Sequence, residues 1–253
     1  MDSQQTARAR AFAALHVKGN PLILYNIWDA GSARVVAEAG AKALATGSAS
    51  VAGSQGHGDG ESLPIDFALS NLARIVATTE LPVTLDFEGG YADAPAAIAA
   101  NVARVVAAGG IGINFEDQVV GGEGLHPIAE QAARIAAIRD AVSPDFFINA
   151  RTDIFLKTGA DGHSKAMIDD AAERARAYAD AGASGFFAPG LKDETLIAAI
   201  CEASPLPVNI MDYPGVPAKA RLAALGVARI SHGPFPWRLA MQALGEGAAK
   251  AFA

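Results

Sequence analysis

Cysteine occurs once in 253 residues, at Cys201, so no internal disulfide can form and a secreted, disulfide-framed scaffold is excluded. A reducing compartment follows, and the protein is expected to be cytoplasmic. Long apolar runs are missing as well: no window reaches the roughly 18 uninterrupted apolar residues of a membrane span. The first residues, Met1-Asp2-Ser3-Gln4-Gln5, lack the basic-then-apolar order of a leader. Positive charge is scarce, with 20 Lys and Arg against 27 Asp and Glu and no long basic cluster. Binding to phosphate backbones needs many cations on one face, so neither nucleic acid nor a membrane is an expected partner. With 51% hydrophobic and 19% charged residues, the composition excludes a disordered chain and allows a large core.

What is present is an alternation. Short runs of Val, Ile, Leu and Phe predict eight strands, near residues 22–28, 42–47, 82–87, 111–116, 146–151, 185–188, 207–211 and 229–232. Between them lie Ala/Arg/Glu segments whose apolar residues recur every three or four positions, most clearly Ala94 to Ala108, Pro127 to Val142, Ser164 to Ala181 and Ala218 to Leu225. Gly40, Gly109, Gly182 and Gly226 each stand between a helical segment and the next strand, where a left-handed residue closes a helix. Eight strand-then-helix units close most simply as a (β/α)8 TIM-type barrel, one domain over residues 1–253, a length usual for that fold. An open doubly wound sheet is the alternative, but no Gly-x-Gly-x-x-Gly follows the first strand.

In a barrel, chemistry belongs at the carboxyl ends of the strands. Polar residues gather there: Asp29, Thr46-Gly47-Ser48, Asp86 and Glu88, Glu116-Asp117, Arg151 and Asp153, Asn209 and Asp212, and Ser231-His232. Asp86 and Glu88 stand two apart at one strand end, next to Gly89-Gly90, which would let a ligand approach closely. With Glu116 one strand on, they offer hard oxygen ligands suited to Mg²⁺, with Mn²⁺ as the alternative; helix caps and surface acids are the competing reading. The glycine-rich stretch Gly53 to Gly60 lacks a P-loop ending and reads as a flexible lid carrying Asp59. Arg151 could fork onto a substrate carboxylate or pair with Asp153 or Glu116. Among the histidines, His16 and His163 read as surface residues, His57 and His126 as loop residues at the catalytic face, and His232 as the end of the last strand. Cys201 falls within a helix and reads as packing.

These motifs together resemble the isocitrate lyase/phosphoenolpyruvate mutase superfamily over nearly the whole chain: Asn26-Ile27-Trp28-Asp29-Ala30-Gly31-Ser32, Thr46-Gly47-Ser48, Gly56-His57-Gly58-Asp59, Asp86-Phe87-Glu88-Gly89-Gly90-Tyr91, Phe115-Glu116-Asp117-Gln118 and Asn149-Ala150-Arg151-Thr152-Asp153. The resemblance implies Mg²⁺ near Asp86, with Asp59, Glu88 and Glu116 acting mostly through bound waters. It also implies a small carboxylic acid substrate in contact with Trp28, Gly47, Ser48, Asp86, Arg151 and Asn209. A homodimer or homotetramer that exchanges the last helix is implied too, and Pro234-Phe235-Pro236-Trp237 before that helix suits such a swing.

The chain departs from the family in one loop. Where lyases of the family carry Lys-Arg-Cys-Gly-His and mutases a lysine-rich version, this chain reads Gly122-Glu123-Gly124-Leu125-His126. A glutamate expected after the sixth strand is also replaced, at Ala188-Pro189-Gly190. Glycine has no proton to give, so Glu123, His126 or solvent would protonate the product, with Arg151 at the substrate. The expected activity is a Mg²⁺-dependent carbon–carbon lyase, decarboxylase or retro-aldol in type, acting on a small 2-oxo or 2-hydroxy acid through a metal-stabilised enolate. Phosphonomutase or phosphonopyruvate hydrolase chemistry, and a barrel that binds a 2-oxo acid without turnover, are the alternatives.

Overall fold

A computed structural model describes residues 1–253. All eight expected strands form: β1 Leu22–Leu24, β2 Leu44–Ala45, β3 Val83–Asp86, β4 Gly112–Glu116, β5 Phe147–Arg151, β6 Gly185–Phe187, β7 Val208–Met211 and β8 Arg229–Ser231. Every pairing is parallel, in the spatial order β1-β8-β7-β6-β5-β4-β3-β2. A parallel bridge between Ile27 and Thr46 joins the two ends, with the Ile27 N–H donating to the Ala45 carbonyl at 2.9 Å and the Gly47 N–H to the Ile27 carbonyl at 3.2 Å. The fold is the (β/α)8 barrel.

The helices follow the strands. After α1 (Ser3–Ala14), α2 (Ala30–Glu38) follows β1, and α3 (Ser48–Ser54) and α4 (Ile65–Val76) both follow β2. Then come α5 (Pro95–Ala107), α6 (Ile128–Ala141), α7 (Lys165–Asp180), α8 (Glu194–Ala203), α9 (Lys219–Ala224) and α10 (Phe235–Phe252), one after each later strand. In α5 the buried residues Ile98, Ala99, Val102 and Val105 recur at three and four positions, which turns one stripe onto the sheet. Gly40, Gly109, Gly182 and Gly226 adopt φ of +97°, +92°, +98° and +93°, the left-handed closure that their positions foretold. Cys201 is buried in α8, as packing. No helix is long and apolar enough to cross a membrane.

The amino-terminal helix α1 is the element that periodicity missed, because only Ala9 and Phe12 are buried on it. It closes the amino-terminal end of the barrel: Phe12 meets Phe147 edge-on at 5.1 Å, in a small cluster with Leu22, Leu24, Ala43, Ala45 and Ile111. His16, expected at the surface, instead stacks on Phe147 at 4.3 Å, and burial, helped by Arg229, pulls its pKa down to about 3. His163 is half-buried too, its Nε2 lying 2.8 Å from the Phe155 carbonyl.

At the other end one side chain ties the seam. Buried Asn26 donates from Nδ2 to the Thr46 carbonyl at 2.8 Å, and its Oδ1 accepts the N–H groups of His232 at 2.8 Å and Gly233 at 2.9 Å. The ends of β1, β2 and β8 therefore meet on a single amide. At roughly 1 kcal/mol per hydrogen bond, with buried groups left unpaired, Asn26→Ala is expected to cost about 2–3 kcal/mol. Thermal denaturation should then show a melting temperature lower by about 4–10 °C.

Candidate active site

The carboxyl end of β3 carries Asp86, and its backbone and side chain are both held. Its N–H donates to Thr46 Oγ1 at 2.9 Å, its Oδ2 accepts the Ser48 N–H at 3.0 Å, and its Oδ1 faces Asn114 Nδ2 at 3.4 Å. Donors from the start of α3 and from β4 thus converge on one carboxylate, while the Thr46 hydroxyl oxygen holds the backbone beneath it. No side-chain cation pairs with it.

Beyond Asp86 the chain turns sharply. Only three non-glycine residues have left-handed φ, Glu61 at 57°, Glu88 at 50° and Tyr91 at 57°, and they are bonded to one another. The Glu61 N–H donates to Glu88 Oε2 at 2.7 Å, and the Tyr91 N–H donates to Glu61 Oε1 at 2.7 Å. Glu61, which the motifs did not single out, therefore latches the segment bearing Asp59 onto the turn after β3. Gly89 and Gly90 serve this packing: a Cβ on Gly89 would fall 2.8 Å from Val120 Cγ2, and one on Gly90 2.9 Å from Ile98 Cγ2. Gly53, read as part of a flexible lid, lies inside α3, where a Cβ would meet the Trp237 ring at 2.8 Å. His57 is exposed on this segment, its Nδ1 3.0 Å from the Ser62 carbonyl.

The acids feel one another. Burial, then the charges of Asp59, Asp86 and Glu61, push the Glu88 carboxyl up to about 7, against the Glu61 N–H that pulls it down. Asp59 belongs to an exposed segment, yet its carboxyl is raised by lost hydration and then by Asp86, while the Ser48 hydroxyl and Arg151 lower it. No three carboxylates, imidazoles or thiols stand close enough to grip one ion directly. A half-buried carboxylate flanked by two like-charged neighbours without a cation suits instead a hydrated Mg²⁺, held by one direct ligand and several waters.

Glu116 ends β4 and is buried beside Arg151, which ends β5. Arg151 engages three of its nitrogens: NH1 is 2.9 Å from Glu116 Oε2, Nε donates to Asp153 Oδ1 at 2.6 Å and NH2 to Asp153 Oδ2 at 3.0 Å. Of the two readings of Arg151, the salt bridge is the one present; a guanidinium has five N–H groups, so two stay free for a substrate. Burial pushes the Glu116 carboxyl up while Arg151 pulls it down, and Gln118 donates to its Oε1.

The remaining expected residues divide. Asn209 lies inside the barrel, donating to Ser231 Oγ at 3.1 Å and accepting from Asn149 at 3.2 Å. Gly47 spends its N–H on the barrel seam, and Trp28 packs against Val51, Ala52, Leu63 and Ala68. Asp29 is a helix cap, accepting the Ser32 N–H at 2.6 Å, and Asp212 faces His232 at 3.5 Å. Asp117 is wholly buried and accepts from Tyr178 at 2.8 Å, Arg174 at 3.1 Å and the Asp153 N–H at 3.0 Å.

That anchor supports the divergent loop. His126 donates its N–H to the Asp117 carbonyl at 2.7 Å, and Gln118 and Leu125 form an antiparallel bridge, so the loop is a closed hairpin. A Cβ on Gly122 would lie 2.7 Å from Val119 Cγ1, which a lysine could not avoid without reshaping the loop. Glu123 is exposed at the tip, and His126 directs Nδ1 to Glu130 at 2.8 Å. Neither is brought to Asp86. After β6, Ala188 is buried and Gly190 packs on Phe155, leaving no ionisable group there.

Comparison with known proteins gives a consistent family. The model of phosphoenolpyruvate phosphomutase matches residues 12–252. A crystal structure from Burkholderia cenocepacia J2315, provisionally named a phosphonomutase, is 48% identical, with a TM-score of 0.95 over 98% of this chain and 99% of that one. The 2-methylisocitrate lyase of Escherichia coli is 30% identical over 82% of this chain and 71% of its own length. An oxaloacetate decarboxylase of Pseudomonas savastanoi is 28% identical, covering 92% and 81%.

A raised carboxyl leaves a signature in stability. Between its usual 4.5 and about 7, the folded Glu88 holds a proton that the unfolded chain has lost, so its share of stability is full below pH 4.5 and is lost as pH rises through 7. In metal-free protein, Glu88→Gln should therefore gain on the wild type by on the order of 1–3 kcal/mol between pH 5 and pH 8 in urea denaturation. Parallel curves for the two proteins would contradict the assignment.

Proposed function

The chain belongs to the phosphoenolpyruvate phosphomutase family, within the isocitrate lyase/phosphoenolpyruvate mutase superfamily, and on that footing we propose that it is a Mg²⁺-dependent carbon–carbon lyase. Its substrate is a small 2-oxo or 2-hydroxy carboxylic acid, and decarboxylation of a 2-oxo dicarboxylate is the reaction the site fits best. One observation carries this reading: the charge of Asp86 raises the Asp59 carboxyl, and Asp59 and Asp86 together raise Glu88, with no side-chain cation paired to any of the three. Such a set calls for a dication, and a hydrolase of the same fold has been crystallised with oxalate and Mg²⁺.

Asp86 would be the direct ligand, fixed by Thr46 and Ser48, with Asp59, Glu88 and Glu116 receiving its waters. When bound, Mg²⁺ supplies positive charge opposite the C2 oxygen of the substrate, where negative charge develops as the bond breaks. The free N–H groups of Arg151 are the donors placed to orient the substrate carboxylate, while the Ser48 hydroxyl is engaged by Asp59. Asp153 and Glu116 keep the Arg151 fork rigid, so that little orienting entropy is lost at the moment of reaction. The closed hairpin bears no acid near Asp86, with Glu123 exposed and His126 tied to Glu130. Decarboxylation suits that lack: the electron pair of the C3–C4 bond moves toward the C2 oxygen, carbon dioxide leaves without a proton, and water protonates C3. A retro-aldol cleavage would need a base or acid on the same hairpin.

P–C bond chemistry is the second reading, favoured by the provisional name of the 48% identical structure and disfavoured by glycine at position 122. A screen of 2-oxo and 2-hydroxy acids with Mg²⁺ or Mn²⁺, read by pyruvate formation above the metal-only background, separates them. Turnover is expected with a 2-oxo dicarboxylate and abolished by chelator, and Asp86→Ala should lower kcat/KM by about 10²–10⁴, the several kcal/mol that a metal supplies. Phosphate release from phosphonopyruvate would establish the second reading, and binding without turnover the non-catalytic barrel.

We also propose a homodimer or homotetramer built by exchange of α10. The helix leaves Leu239, Leu244 and Phe252 60%, 65% and 88% exposed. Between α2 and α9, over β1, where the helix after β8 would pack, lies an apolar groove of about 740 Å³ lined by Leu22, Ile23, Val35 and Val36. A second copy's α10 fits this slot by position and chemistry. Light scattering should give a multiple of one chain's mass, and the double variant Leu239→Glu, Leu244→Glu should fall to a single chain; an unchanged mass would refute the exchange.

A further inference from the structure

At the barrel axis lies a cation that the mechanism above does not use. Arg229, at the start of β8, is wholly buried, and no carboxylate stands within ion-pair distance of it. Its NH2 donates to Asn114 Oδ1 at 3.1 Å, while Nε and NH1 have no partner. Phe12 of α1 lies against the guanidinium, 5.9 Å from ring centre to Cζ, so water is kept out from below. Burial pulls its pKa down to about 9, with Asp86 opposing. An unpaired buried charge is expensive, and an apolar side chain of similar volume would be neutral or favourable for the fold.

Its one hydrogen bond points to a purpose. The Asn114 amide has one acceptor end, and that end receives Arg229 NH2 and Asn149 Nδ2, the latter at 2.9 Å. Two donors on Oδ1 settle which way the amide faces, and its Nδ2 is thereby turned to Asp86 Oδ1 at 3.4 Å. Without the lower donor, the amide could rotate and set an oxygen against the carboxylate. We propose that Arg229 is a positioning residue for Mg²⁺ binding, which acts through Asn114 to hold the Asp86 carboxylate in its binding geometry at the expense of fold stability. This inference rests on the assignment of Asp86 as the metal ligand.

The test uses the whole chain and Mg²⁺ itself, by calorimetric titration and thermal denaturation. Arg229→Met should keep or raise the melting temperature and yet weaken Mg²⁺ binding about tenfold, a division that a purely structural arginine would not produce. Asn114→Leu should weaken binding at least as much, and adding Arg229→Met to it should weaken binding no further. Unchanged or tighter binding in folded Arg229→Met, as expected if the guanidinium only repels the dication, overturns the proposal while leaving the metal site standing. Should Arg229→Met fail to fold, additive losses in Asn114→Leu and the milder Arg229→Gln overturn it equally. Absence of Mg²⁺ binding in the wild type overturns this inference and the metal assignment together.

Discussion

Carboxylates forced together in a half-dry mouth are the constraint on which the rest of the structure turns. A parallel barrel brings every strand's carboxyl end into one ring, so acids at the ends of β3 and β4 meet Asp59 from the segment after β2. Mutual repulsion would splay them unless each were restrained. The restraints are mostly backbone donors: the Ser48 N–H on Asp86 and the Glu61 N–H on Glu88. Backbone dipoles steady a charge without neutralising it, which leaves the net negative potential for a ligand to satisfy. Arg151 could have cancelled that potential, but Glu116 and Asp153 hold it to one side.

The barrel was legible because its strands are buried on both faces and carry no alternation to confuse, while positive-φ glycines mark where helices stop. All eight strands lie where the apolar runs lie. The first helix was not legible, since it buries a narrow stripe against the barrel's end and its sequence is polar elsewhere. Site residues divided by the range of their partners. Asp29 could have been recognised as a cap from Ser32 three residues on. Asp117 could not, because its partners Arg174 and Tyr178 are 57 and 61 positions away. Glu61 and Arg229 were invisible for the same reason: nothing local distinguishes a latch or a buried cation from a surface charge.

Strain is concentrated in the same place as the charge. Left-handed φ at Glu61, Glu88 and Tyr91 costs of order 1 kcal/mol or more each, and such outliers persist only where the surroundings over-determine them. Here each strained residue is bonded to another of the three, so relaxing one would release its neighbour. Coupling of this kind makes the Asp59 segment and the β3 turn one mechanical unit, in which Asp59 cannot withdraw without disturbing Glu88.

The divergent hairpin keeps its fold while bringing no ionisable group to Asp86. Its base is among the best anchored parts of the molecule, through Asp117, Arg174 and Tyr178, and its tip is built around glycines whose space Val119 partly fills. A rigid base beneath a tip whose one acid, Glu123, is exposed and away from Asp86 fits the proposed reaction, in which the hairpin serves as a wall and gives no proton. The proposed loss of carbon dioxide from a 2-oxo dicarboxylate would meet that requirement, since the leaving group departs neutral and the developing charge resides on oxygen.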